Sequence, residues 1–443
     1  MISKSSWKSR RAPRRAEAGL FAAVAVTALL LLPLPPDRPQ GERPAIQDIP
    51  FRPPTDPHSL FVYPKPGKPL PHFTLKIRPE FIRALNAAVP KGVRFSKVRY
   101  KKVPVESFAI DGNPVPGPNT ARYRGYGHLH WAFRQKSIKV QTDKDRQVRG
   151  HRTLNLTALS TDPFFFEIWA SEVLHRSGGV SSRVGLATVD LNGRYDGLRQ
   201  VVENLDMDLL ESQTLPKGAI YREREHAKIG REYLWAGEIR DLWKKNALQK
   251  ADWSDLEDFN DSVRESVLNG GDAFLRRVNL GQFVNYYAAL VIIGTVHLND
   301  HNIPIYRPRL SPKFIPIGYD YGWAGLGDHG PKELAAQIPY MGMNWLSQLF
   351  WSDATLRAAI HRRTAKILER FPDLFSWYEQ ALDAGEPFIA RDLKEGASLT
   401  YYPDLKTTAQ WREINPMREP VRRRLAFLRR GYLSPRMRLR SGW

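Results

Sequence analysis

The spacing of hydrophobic and polar residues from position 73 onward switches between a strand-like and a helix-like period. The stretches FTLKI (73–77) and FSKVRYKKVPV (95–105) have the short apolar alternation of strands. Between them, PEFIRALNAAV (79–89) predicts a short helix that begins at Pro79, because proline is tolerated in the first turn of a helix. The body of the chain is therefore predicted to mix strands and helices from its start.

Three further segments continue this mixed pattern. The stretch ARYRGYGHLHWAFRQKSIKVQT (121–142) predicts two strands in hairpin order around a glycine-bearing turn. TDPFFFEIWASEVLHRSGG (161–179) predicts a helix, with a capping residue and proline at its start and two glycines at its end. SSRVGLATVDLNGRYDGLRQVVENLD (181–206) predicts a second hairpin, because Asn192-Gly193 is a strong two-residue turn signal.

Beyond residue 238 the pattern is largely helical, interrupted by HLNDHNIPIYRPRLSPKFIPIGYDYGW (297–323). The order of elements predicts an α+β fold with a small sheet-rich lobe (73–205) and a larger, mostly helical lobe (206–411). Bilobal enzymes that grasp ATP use this layout and hold the nucleotide in the cleft between the lobes.

The N-terminal residues have the pattern of a targeting segment rather than of a folded lobe. Residues 1–17 are basic, and AGLFAAVAVTALLLLPLPP (18–36) carries no charge. This combination predicts a signal-anchor or a signal peptide, with the anchor favoured because no clean cleavage site follows. The basic end should stay in the cytoplasm, so the bulk of the chain is expected outside the cytoplasm, anchored in the membrane or exported. Residues 37–72 contain ten prolines and predict an extended spacer.

The formal net charge of +21 is concentrated at the two ends of the chain. Residues 1–15 hold six basic and no acidic residues, and the tail 412–443 holds ten Arg against two Glu. Nucleic-acid binding is therefore disfavoured, because a nucleic-acid surface would place the basic residues on the folded body. The chain has no cysteine, which excludes disulfides, cysteine-ligated zinc and thiol catalysis. The oligomeric state is left open.

Phosphoryl transfer requires a lysine on a strand, a carboxylate to hold it, an acid near the attacking hydroxyl, and hard oxygen ligands for Mg²⁺. Lys136 and Lys139 lie on the predicted strand KSIKV. On the following helix we favour Glu172 over Glu167 as the lysine partner, because Glu172 falls within the apolar stripe and needs a partner there. The acidic segment then offers three oxygen-bearing side chains, at Asp300, Asn302 and Asp320.

These segments give the chain a specific resemblance. RYRGYG…QKSIKV, VDLNGRYDGLRQVVENLD and NDHNIPIYRPRLSPKFIPIGYDYGW occur in the order typical of the spore-coat CotH kinase family, and the resemblance covers about residues 75–330. It implies a protein-kinase-like fold and an ATP-dependent kinase that phosphorylates a protein, such as one of the cell envelope, with Mg²⁺ or Mn²⁺. It also implies roles for individual residues: Asp300 as the catalytic acid, Asn302 and Asp320 as metal ligands, Lys136 paired with Glu172, and Arg124, Lys136, Lys139 and Glu203 at the nucleotide.

The sequence also leaves alternatives open. Tyr126 and Gly127 follow the Arg-Gly turn where the family often has Asn and Ser, and Gly322 stands where a second Asp is common. These departures leave a second interpretation open, in which the chain is an inactive, membrane-anchored binding or structural protein. ATP is scarce outside the cytosol, which is the main difficulty for the kinase reading. His297 and His301 are four residues apart, but the context of a zinc-protease helix is missing. Lys136 and Lys139 could also form the solvated face of a strand.

Overall fold

The computed structural model describes residues 44–93, 95–96, 98–158, 164–223, 239–248, 252–295, 303–321, 344–396, 406–413 and 417–433. The strands are β1 (His72–Lys76), β2 (Val103–Val105), β3 (Ser107–Ile110), β4 (Asn113–Pro114), β5 (Asn119–Tyr123), β6 (Ile138–Gln141), β7 (Thr153–Ala158), β8 (Val180–Ser181), β9 (Val184–Leu191), β10 (Arg194–Glu203), β11 (Gly218–Glu223), β12 (Trp243–Ala247), β13 (Ile305–Pro308) and β14 (Ile315–Gly318). The helices are α1 (Pro79–Ala87), α2 (Phe164–Arg176), α3 (Met207–Ser212), α4 (Ile239–Leu242), α5 (Ser254–Asn269), α6 (Leu280–Ile293), α7 (Trp345–Ser352), α8 (Ala354–Arg370), α9 (Leu374–Glu395), α10 (Thr408–Glu413) and α11 (Arg418–Leu433).

Strands β1 to β7, β9 and β10 form one large sheet in the order β2-β5-β6-β7-β10-β9-β1-β3-β4. Its strands pair antiparallel except for the β1–β9 pair, which is parallel. The predicted hairpin around Asn192-Gly193 is confirmed as the β9–β10 pair, and both turn residues have positive φ, of 54° and 75°. The predicted hairpin of residues 121–142 is confirmed as the antiparallel β5–β6 pair.

A second, smaller sheet has the order β12-β11-β13-β14-β8. The β13–β14 pair is the hairpin within the 297–323 segment, and it ends just before Asp320. Strand β8 directly follows α2 and pairs parallel with β14, so the chain around α2 is tied to the hairpin that carries Asp320.

The C-terminal half is mainly helical, and the α+β prediction is confirmed. Helix α6 is buried along its whole length, which explains its almost uninterrupted apolar sequence. It packs with α2, α8 and α11 in the main hydrophobic cluster, and a second cluster lies on one face of the large sheet. Among the described residues, the longest helices are too polar or too short to cross a bilayer.

The proline-rich residues 44–71 are packed on the body, which differs from the expected free spacer. Leu60 and Phe61 join the core of the large sheet, while the Tyr63 hydroxyl donates to the carbonyl of Trp377 in α9 at 2.5 Å. Gly178 is required beneath this segment, because a Cβ there would lie 2.3 Å from the Pro50 carbonyl oxygen. Proline excludes these residues from helices and central strands, but it does not prevent an extended segment from packing.

Candidate functional site

One face of the large sheet carries a row of polar side chains across β5, β6 and β7. Arg122 lies directly opposite Lys139, and Lys139 lies opposite Asn155. The alternate residues of the same strands, such as Ile138, Val140 and Leu154, point into the apolar core of the sheet. The period of two along a strand therefore separates an apolar face from a face built of cations and amides.

Two cations placed directly opposite each other on antiparallel strands repel one another. Burial, the neighbouring Arg124 and Arg122 guanidinium groups and Arg222 from β11 together lower the pKa of Lys139 to about 7. Asp206 opposes these effects but does not cancel them. Such a concentration of partly buried positive charge is suited to an anion with several charges, because the anion would relieve the repulsion.

The Lys139 ammonium group is held in place by a short amide network. It donates to the Asn204 side-chain oxygen at 3.0 Å, and Asn204 in turn donates to Asp206 at 2.5 Å. The Asn155 side-chain amide donates to the Val202 carbonyl at 3.1 Å, and this bond fixes the amide beside Lys139. Asp206 also caps α3 by accepting from the Asp208 backbone N–H, and burial raises the pKa of its carboxyl to about 6.

Arg124 lies at the turn after β5, and this turn depends on glycine. Arg124 donates to the Thr157 hydroxyl at 2.7 Å. Gly125 has a φ of +103°, and a Cβ there would lie 2.1 Å from the His130 ring. The next strand secures the turn through Ser137, whose carbonyl accepts from Arg124 N–H and whose hydroxyl accepts from Ala158 N–H. The Arg124-Gly125 and Lys136-Ser137 motifs are therefore joined by a backbone hydrogen bond.

Two carboxylates approach this cationic face, Glu167 from α2 and Asp320 from the end of the β13–β14 hairpin. Burial and the nearby Asp320 raise the pKa of Glu167 to about 8, although Gln200 and Arg124 act in the opposite direction. Asp320 is exposed and has a φ of 57°, a backbone conformation that Asp tolerates better than most residues. Two carboxylates this close together are a donor set that suits a hard divalent cation.

The structure places the predicted site residues in several locations. Arg124, Lys139 and Asp320 come together, whereas Lys136 and Glu172 are held by other groups. Lys136 precedes β6, and its ammonium donates to the Phe133 carbonyl at 2.8 Å. Glu172 accepts from the Thr55 hydroxyl at 3.3 Å. The expected Lys136–Glu172 pair is therefore not formed in the described part of the chain.

The helical geometry explains why the sequence pattern favoured Glu172 over Glu167. Glu167 and Glu172 are five residues apart and so lie about 140° apart around the helix axis. Positions 165–175 of α2 are all buried except Glu167, which is partly exposed. Because the helix is buried on nearly all sides, its apolar stripe does not mark the face that meets the site.

Glu203 also has partners of its own. It accepts from Arg183 at 2.6 Å and from the Ser212 hydroxyl at 2.7 Å, and both Glu203 and Arg183 are buried. Burial alone would raise the pKa of Glu203, but Arg183 holds it below its ordinary value. We therefore interpret Glu203 as a link between β10 and α3 rather than as a direct nucleotide ligand. Asp300 and Asn302 lie outside the described residues, and their roles stay predictions.

The similarity to known proteins decides the family. A family model described as CotH kinase protein matches residues 121–428, which is more than half of the chain. The chain belongs to the CotH kinase protein family. The resemblance seen in the sequence motifs is thereby confirmed.

One curated relative from this family is "Inner spore coat protein H" of Bacillus subtilis (strain 168). It is 24% identical over 318 residues, which cover 64% of this chain and 83% of the relative. Among solved structures, the complex titled "Shewanella oneidensis MR-1 Toxin Antitoxin System HipA, HipB and its operator DNA complex" matches with a TM-score of 0.24 and 11% identity over 73% of this chain and 74% of that chain. A score this low carries no argument about the fold.

Sequence reasoning did not select several residues that the structure places at the candidate site. These are Arg122, Asn155, Glu167, Gln200, Asn204, Asp206 and Arg222. A signal for some of them was present, because Arg122 and Lys139 occupy alternating positions opposite the apolar residues of their strands. Register between strands was needed to recognise that these positions face each other.

The role of Glu172 gives a first prediction. Burial raises its pKa from an ordinary 4.5 to about 7, so the folded protein holds a proton that the unfolded chain has released between these pH values. Stability should therefore fall as the pH rises through this window, by on the order of 3 kcal/mol for this group. Glu172→Gln should remove that loss. The unfolding temperature of the variant, measured relative to that of the wild type, should therefore rise between pH 5 and pH 8.

The same variant also tests the earlier assignment. Glu172→Gln should leave ATP affinity unchanged if Glu172 contacts Thr55 rather than the nucleotide-binding lysine. A large loss of ATP affinity with unchanged pH dependence of unfolding would restore Glu172 to the site.

Proposed function

We propose that this protein is a kinase of the CotH family that transfers the γ-phosphoryl group of ATP, with Mg²⁺, to a hydroxyl group of a protein. The observation that carries the proposal is the convergence of Arg122, Arg124, Lys139 and Arg222 beside the carboxylates of Glu167 and Asp320. The spore-coat relative supports an acceptor in a protein coat or envelope. The two sheets and the helical half are read as the lobes of a kinase-like fold, with the site at their junction.

In this proposal the cations bind the phosphate groups. Lys139 and Arg124 would donate to phosphate oxygens, and the anion would raise the pKa of Lys139 so that it is fully charged when the nucleotide is bound. Asn204 orients the lysine, and the bond from Arg124 to Thr157 keeps the guanidinium at the face of the sheet. Most of these contacts exist before binding, so little reorganisation is required.

Asp320, together with Glu167, would hold Mg²⁺ on the phosphates. A bound Mg²⁺ supplies charge neutralisation at the β- and γ-phosphates during transfer. Glu167 would release its proton when the cation binds, since a divalent charge lowers the pKa of a nearby carboxyl. Asn302 is proposed as a further ligand from the family resemblance.

In the chemical step, the acceptor hydroxyl oxygen forms a bond to the γ-phosphorus as the bond to the β–γ bridging oxygen breaks, and ADP leaves with that oxygen. The hydroxyl proton passes to a carboxylate, for which the resemblance proposes Asp300. Positioning and electrostatic stabilisation supply most of the rate enhancement in this class of reaction.

Transfer can be tested with the full-length protein, Mg²⁺ and ATP labelled at the γ-phosphate, by following label in the protein itself and in added acceptor peptides. Wild type should transfer label, and Asp300→Asn should keep ATP binding while lowering turnover on the order of a hundredfold or more. Label transfer that Asp300→Asn leaves unchanged would contradict the role of Asp300. Nucleotide binding without any transfer would favour the inactive alternative.

A further inference from the structure

A basic and apolar surface lies beside the candidate site on residues 91–102, which we term the basic segment. Its sequence, KGVRFSKVRYKK, has six basic residues and no acidic residue. Among its described residues, Lys91, Arg99, Lys101 and Lys102 are exposed. Six large apolar side chains are exposed in the described part of the chain, and three of them belong to this segment, namely Val93 (46%), Phe95 (53%) and Val98 (42%). A cluster of exposed apolar side chains within a charged surface is typical of an interaction site.

The basic segment is attached to the Arg-Gly turn of the site. Ser96 N–H donates to the Tyr126 carbonyl at 3.0 Å, and Phe95 forms an antiparallel bridge with Gly127. The rings of Phe95 and Tyr126 stack with centroids 5.1 Å apart and planes inclined by 19°. This backbone pairing fixes the surface relative to Arg124 and Gly125.

The positive charge is continuous from the surface into the site. Burial lowers the pKa of Arg122, and the guanidinium groups of Arg124 and Arg99 lower it further, so Arg99 joins the exposed cations to the buried ones. Arg122 Nε is buried and finds no hydrogen-bond acceptor among the described residues. A donor without a partner at this position is available to an incoming anionic or carbonyl oxygen.

From this continuity we infer that the basic segment, with Tyr126, is the docking surface for the acceptor, and that the acceptor is an acidic polypeptide with apolar side chains near the phosphorylated residue. The inference rests on the proposed kinase function. Asp and Glu side chains would pair with Lys101, Lys102 and Arg99, while an apolar side chain would cover Val93, Phe95 and Val98.

A polypeptide fits these features better than a lipid surface. An anionic bilayer would contact the exposed lysines and the apolar trio, but its flat surface would not reach the partly buried Arg122. An extended chain can follow the charges from Arg99 inward and bring its hydroxyl to the phosphate-binding face. Addition of the chain as a further strand is disfavoured, because the neighbouring edge strand β2 carries Pro104.

The test compares two 15-residue peptides that share a central serine and flanking leucines, one rich in Glu and Asp and the other rich in Lys and Arg. With the full-length protein and Mg·ATP, the acidic peptide should have the higher kcat/KM, by about a hundredfold. Lys101→Glu/Lys102→Glu should raise the KM for the acidic peptide about tenfold with little change in kcat. The control Arg309→Glu/Lys313→Glu, at exposed positions of the β13–β14 turn, should leave both constants unchanged.

Equal use of the two peptides, or preference for the basic one, would overturn the inference. It would also be overturned if the Lys101/Lys102 variant lost binding to vesicles of phosphatidylglycerol and phosphatidylcholine while keeping its KM for the acidic peptide. Anisotropy of the labelled acidic peptide separates this inference from the proposed function. Peptide binding that depends on Lys101 and Lys102, in a protein that binds no Mg·ATP, would support the docking surface and contradict the proposed kinase activity.

Discussion

Lys139→Met is expected to weaken ATP binding by about a hundredfold, whereas Lys136→Met should change it less than threefold. Lys139 lies in the row of cations and is held by Asn204, and a charge-assisted contact to a phosphate contributes about 1.5–3 kcal/mol. Lys136 donates to a backbone carbonyl outside that row. The unfolding temperature of Lys139→Met should not fall, because the substitution removes a charge that its neighbours repel.

The two lysine variants form a matched pair, since each exchanges a lysine three positions from the other for the same residue. Calorimetric titration with Mg·ATP gives both affinities, and thermal unfolding shows whether each variant is folded. The family resemblance assigns the phosphates to Lys136 and the geometry favours Lys139. The reverse order of effects would return the role to Lys136.

Asp320→Asn should abolish Mg²⁺-dependent nucleotide binding and lower phosphoryl transfer on the order of a thousandfold. The removed charge is the proposed main anchor of the cation, and metal-assisted charge stabilisation contributes several kcal/mol. Asparagine is preferable to alanine here, because Asp320 has a φ of 57° and asparagine tolerates this conformation. The loss can then be assigned to charge rather than to backbone strain.

Asp111→Asn is the control for this substitution. Asp111 also has a positive φ, of 53°, and lies in the turn between β3 and β4 at the far end of the sheet order from β5 and β6. It should bind Mg·ATP as wild type does. Retained Mg²⁺ dependence in Asp320→Asn would mean that the cation is held elsewhere.

The sequence predicted local structure well where a residue has a strong conformational preference. Pro79 at the start of α1 and Asn192-Gly193 between β9 and β10 each mark an element that the structure contains. The β13–β14 hairpin likewise joins two short, mainly apolar runs across a turn. These features depend on a few neighbouring residues, so they can be read from a single sequence.

Contacts between distant segments could not be derived in the same way. Glu167 was set aside for Glu172, because an apolar stripe on a helix buried on all sides does not identify the face toward the site. The opposition of Arg122 and Lys139 depends on strand register. The packing of residues 44–71 depends on partners more than 100 positions away, such as Trp377 for Tyr63.

The most direct test of the account is calorimetric titration of the full-length protein with ATP in the presence and absence of Mg²⁺. The account predicts binding of one ATP per chain that requires Mg²⁺ or Mn²⁺ and that is lost in Asp320→Asn. The absence of nucleotide binding by folded wild-type protein with either cation would contradict it.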